Sequence, residues 1–178
     1  MVIFKRRSIS TNDILLLFAV CAFPIHVWSI VNLLQFLPAW VLRLSVWDLL
    51  GVVAYTQAFA LLESLLLWLV VMLVGIVLPA KLVANRFLVL GSALFFLHSI
   101  WVIIIQYIYD ALRSGGLIQF LLLGSVYAFS VAVTFFLVTR SDKLAASIRA
   151  LIERLAVLSF IYIFVDLLSV FVVILRNL

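Results

Sequence analysis

The sequence predicts an all-α fold: a polytopic integral membrane helical bundle of five transmembrane helices with a cytoplasmic N-terminus. Three observations predict it: an excess of apolar residues, five apolar runs of spanning length, and basic residues gathered on one side of those runs. Of 178 residues, 69% are hydrophobic and 11% charged, against about 25% charged in soluble domains. The mean hydropathy is +1.41. A water-soluble fold of this length cannot hide that much apolar surface, so residues 1–178 read as a single transmembrane domain with no separate soluble part.

A membrane-spanning helix needs about 20 mainly apolar residues, because each adds about 1.5 Å across a core about 30 Å thick. The first such run covers about 13–36, where Asn12 or Asp13 is placed to cap the start and Pro24 to kink the middle. The second is best placed at 58–78, inside a stretch from Leu49 to Leu78 that lacks lysine and arginine, and ends at Pro79 and Lys81. The third covers 87–109, between Arg86 and Asp110. The fourth covers 117–138, after the flexible pair Gly115 and Gly116 and before Arg140. The fifth covers 155–175, between Arg154 and Arg176.

Lys5, Arg6 and Arg7 followed by an apolar run have the outline of a signal peptide. No cleavage site follows, and Val20 precedes Cys21 where a lipoprotein signal wants a small residue, so the run reads as a retained first helix. The lone Cys21 lies inside that run, which rules out an intramolecular disulfide and leaves a small core hydrophobe.

Two connections carry structure of their own. Over 38–48, Trp40, Leu44 and Trp47 recur at helical spacing with Arg43 and Asp48 turned away, predicting a short interfacial helix with Trp40 and Trp47 as headgroup anchors. The alternative is that this segment prolongs a long, tilted second helix. Over 141–154, Leu144, Ile148, Leu151 and Ile152 share a face, and Arg140, Lys143, Arg149 and Arg154 surround it with positive charge. That pattern predicts an amphipathic helix against anionic lipid, or a solvated basic helix.

Orientation follows from the twelve basic residues. With the N-terminus inside, the cytoplasmic side holds Lys5, Arg6, Arg7, Lys81, Arg86, Arg140, Lys143, Arg149 and Arg154, and the outside keeps Arg43, Arg113 and Arg176. Nine against three is the bias expected of cytoplasmic loops. The same bias accounts for the net charge of +5 without nucleic acid, for which no basic stretch interleaved with aromatics is present. The expected location is multi-pass in a prokaryotic plasma membrane.

An ionisable side chain in hydrocarbon costs about 2.5–3.5 kcal/mol by insertion scales, so each one asks for a partner or a purpose. Four stand inside the runs: His26, Glu63, His98 and Asp166. Counting about 1.5 Å per residue from the cytoplasmic boundary places His26, His98 and Asp166 at about 18–20 Å, and Glu63, counted from Lys81, at about 27 Å, close to the outer interface. Ser159, Tyr162, Asp166 and Ser169 form a polar stripe on the fifth helix that should face the bundle interior. The expectation is an intramembrane polar centre of Asp166 and His98, joined by His26, Glu63 and Tyr162. It serves either as a proton or ion relay, or as a structural contact between helices.

The fourth helix carries no charge but sets Gly124, Ala128 and Ala132 on one face, a packing surface for an internal neighbour or for a partner subunit. No nucleophile elbow, metalloprotease helix or phosphate-binding glycine loop is present, so no catalytic residue, cofactor or metal is expected. The sequence therefore reads first as an accessory or scaffolding subunit that contacts membrane lipids and other membrane subunits or further copies of itself. The alternative is a small proton- or ion-coupled transporter or channel.

Overall fold

A computed structural model describes residues 10–77, 86–114 and 116–178; Lys5, Arg6, Arg7, Leu78, Pro79, Lys81 and Gly115, named above, lie outside them. Of the described residues, 94% are helical. The helices are α1 (Thr11–Val41), α2 (Val46–Val77), α3 (Phe87–Tyr107), α4 (Tyr109–Ser114), α5 (Gly116–Arg140) and α6 (Asp142–Asn177). Five of them, all but α4, are long and apolar enough to cross a membrane. The described residues divide into two compact units: 10–77 with Ile152–Leu178, and 86–114 with 116–151.

In the first unit α1 starts two residues earlier than expected, because Ser10 rather than Asn12 or Asp13 is its cap. The Ser10 hydroxyl accepts the Asn12 amide at 3.3 Å, and Asp13 falls in the first turn, where a carboxylate suits the helix dipole. The helix runs through Pro24 and Pro38 to Val41, and the Trp40 carbonyl then gathers the amides of Arg43 and Leu44 at 3.0 and 2.8 Å.

No separate interfacial helix forms over 38–48. Ser45 and Asp48 make a reciprocal cap: the Asp48 amide donates to the Ser45 hydroxyl at 3.2 Å, and that hydroxyl donates to the Asp48 carboxylate at 2.7 Å. This fixes the start of α2 at Val46, so Trp40 belongs to α1 and Trp47 to α2, on either side of a tight turn. The second helix is accordingly about 48 Å long, with its first turns lying before the expected start at 58.

Helices α1 and α2 form an antiparallel pair, with the Trp68 indole donating to the Ile14 carbonyl at 3.3 Å near the far end. The buried row of α2 is Gly51, Ala54, Gln57, Ala60 and Ser64, mostly small side chains that let a neighbouring backbone approach. At the turn end, Arg176 closes the unit. Its guanidinium donates to the Trp47 carbonyl and, at 3.2 Å, to Asp48, and it lies 5.4 Å from the Trp47 ring centroid. A Cβ at Gly51 would collide with that guanidinium. Asn177 adds a bond from its amide to the Tyr55 hydroxyl at 2.6 Å. The C-terminal end of α6 therefore sits beside the α1–α2 turn, at the opposite end of this unit from Ser10.

In the second unit, Val89, Leu90 and Val138 are buried, with Ala93, Leu94, Phe135, Ala145 and Ile148 packed around them. Arg86 binds the Val138 carbonyl at 2.6 Å and the Asp142 carboxylate. Gly116 opens α5 at φ +67°, a left-handed conformation that favours glycine.

Helix α6 is continuous over 36 residues. Ser141 caps it by accepting the Leu144 amide at 3.2 Å, and no glycine or proline interrupts 142–177. The stretch 141–154, expected as a separate amphipathic helix, is thus its first part, with no turn before the span. Arg140, at the end of α5, is exposed, as are Lys143, Arg149 and Arg154 along α6, while Ile148 and Ile152 turn inward.

Candidate functional site

Three of the five residues expected in a polar centre meet in the first unit. His26 and Asp166 lie 2.9 Å apart, Nε2 to Oδ1, with side chains only 2% and 4% exposed. Tyr162, one turn before Asp166, stacks on the imidazole at a centroid distance of 5.1 Å. His26 occupies the middle of α1, where its Nδ1–H donates to the Ala22 carbonyl at 2.8 Å. Tyr162, Asp166 and Ser169 are the buried residues of α6 at this level, and Ser159 is half-buried.

The protonation of the pair follows from its partners. A carbonyl oxygen only accepts, so Nδ1 carries a hydrogen. Between Nε2 and the carboxylate there is then one proton: an imidazolium donates to a carboxylate, or a carboxylic acid donates to a neutral imidazole. Either arrangement has no net charge, which is the condition for placing two ionisable groups in hydrocarbon at tolerable cost. A second proton, or none, would leave a buried unpaired charge.

A neutral polar layer extends from this pair. Ser29, one turn after His26, meets the Gln57 amide at 3.4 Å, and Ser64 bonds back to the Ala60 carbonyl. Gln57 Oε1 and the Tyr162 hydroxyl are buried with no hydrogen-bond partner among the described residues. Gln57 escapes a sequence reading that starts the second span at 58. The buried row of small residues on α2 was the available signal for it.

Glu63 does not join the pair: it is exposed on α2. The Ser29–Gln57 contact in an antiparallel pair sets His26 level with about residue 60 of α2, so Glu63 lies about 5 Å from the His26–Asp166 level.

His98 belongs to the second unit, with partners of its own. Its Nδ1 lies 3.3 Å from the Tyr127 hydroxyl, and Tyr127 meets Trp101 edge-on at 5.8 Å. The Trp101 indole donates to Ser130 at 3.0 Å, and Ser130 donates to the Tyr127 carbonyl at 2.7 Å. This chain of aromatic and hydroxyl groups ties α3 to α5.

The small-residue face expected on the fourth span lies on α5. Gly124, Ala128 and Ala132 are all exposed, and a Cβ added at Gly124 would meet nothing within 4 Å. Among the described residues, no three of His, Cys, Asp or Glu converge in a way that would hold a metal ion. No protein-family model matches the chain, and no curated protein or solved structure is significantly similar to it.

Proposed function

We propose that this multi-pass chain is an accessory or scaffolding subunit of a membrane assembly, with the Ser10 end cytoplasmic, in a plasma membrane of prokaryotic type. The observation that carries the reading is α5: only Val138 is buried along its 25 residues, and its small-residue face is open. Such a face allows backbones of two helices to approach closely, and in lipid that closeness is what drives association. The orientation rests on the nine-to-three distribution of basic residues. The test is co-purification in mild detergent from the native membrane. Wild-type protein should retain a partner that Gly124→Leu loses; a chain that always runs alone contradicts the reading.

The His26–Asp166 pair supports a second reading, a small proton- or ion-coupled carrier, because it holds one shared proton beside a tyrosine hydroxyl that has no partner among the described residues. Its test is uptake by reconstituted vesicles, in which Asp166→Asn should abolish the pH dependence. Normal transport by that variant ends this reading.

A further inference from the structure

Glu63 is exposed on the flank of α2 and has no hydrogen bond or ion pair among the described residues. Its depth makes this costly. Asp166 lies about 18 Å from Arg154 and about 15 Å from Arg176 along α6, midway between the arginines that bound the span, and Glu63 is within about 5 Å of that level. A carboxylate exposed on a spanning helix at that level demands a partner or a proton.

One turn from Glu63, Phe59 borders an apolar groove of about 390 Å³, lined also by Tyr55, Ala58, Leu62, Leu65 and, from α6, Val173. The groove and the carboxylate lie along the same helix, one offering shape and the other charge. Resting on the subunit reading above and naming the chemistry of one partner, we infer that Glu63 and this groove receive a transmembrane helix of another protein bearing a lysine or arginine at mid-membrane. A second copy does not supply that cation: none of the lysines and arginines falls within the five apolar runs. Nor does a histidine serve, since His26 is paired with Asp166 and His98 is hydrogen-bonded to Tyr127.

The test uses the full chain in phosphatidylcholine vesicles with synthetic leucine- and alanine-rich transmembrane helices as probes. The helices carry either one central lysine or none, and association is read by energy transfer. The lysine helix should associate about tenfold more tightly than the all-apolar helix, and Glu63→Gln should erase that difference while Glu63→Asp keeps most of it. A Phe59→Cys variant built on Cys21→Ala should crosslink to a cysteine near the probe's lysine. Equal binding of both probes, an unchanged preference in Glu63→Gln, or crosslinks joining position 59 of two copies would each overturn the inference. Melting of Glu63→Gln at the wild-type temperature verifies its fold. The two proposals fail separately: a chain that selects the lysine probe but purifies alone loses the subunit reading and keeps this one. A chain whose native partner stays bound to Glu63→Gln does the reverse.

Discussion

At the scale of single residues, the energetics concentrate in one contact. His26 and Asp166 are tolerable in hydrocarbon as a couple sharing a proton, so removing either partner should cost more than removing both. Asp166→Leu strands the imidazole Nε2 and should destabilise the protein by about 1–3 kcal/mol, and His26→Leu should cost a similar amount. The double variant His26→Leu with Asp166→Leu should recover part of the sum, and a double-mutant cycle of thermal unfolding in detergent measures that coupling. Asp166→Asn should be milder, since a carboxamide N–H can donate to the neutral imidazole that Ala22 orients. If the two leucine variants add without coupling, the pair is not the unit described here.

At the scale of elements, the ends of helices decide where each one lies. Ser45→Ala removes the cap that starts α2 and should cost about 1 kcal/mol. Gly116→Ala forces a Cβ into a left-handed conformation and should cost about 1–2 kcal/mol. Gly51→Val should push the Arg176 guanidinium off Trp47 and Asp48; a lost protection of the C-terminal end of α6 in hydrogen exchange would report it.

These ends also show what the letters conveyed. Five apolar runs were legible because hydrocarbon imposes a minimum length that few other structures satisfy. The Ser45–Asp48 reciprocal cap was legible too, as a serine followed three positions later by an acid, but the tryptophan spacing over 38–48 competed with it and pointed to a helix that does not form. The continuity of α6 follows from the absence of any glycine or proline over 142–177, a weaker cue than the amphipathic pattern of its first turns. Which histidine meets Asp166 was beyond periodicity. His26 and His98 stand at similar counts from a charged boundary, and only the packing of α1 against α2 and the end of α6 selects His26.

At the scale of the whole molecule, the central claim is a chain that crosses the bilayer an odd number of times. The first unit bears on this directly. Trp68 binds the beginning of α1 at Ile14, while Arg176 and Asn177 bind the beginning of α2 at Trp47, Asp48 and Tyr55. The start of α1 and the end of α6 therefore lie at opposite ends of one compact bundle. The lone cysteine makes this testable with a single reagent, because Cys21→Ala removes all native thiols. Asn12→Cys, Arg43→Cys and Leu178→Cys, each in that background, are then exposed in intact cells to a maleimide that cannot cross the membrane. The account predicts that positions 43 and 178 react from outside and that position 12 reacts only after the membrane is opened. Labelling of positions 12 and 178 from the same side would contradict it.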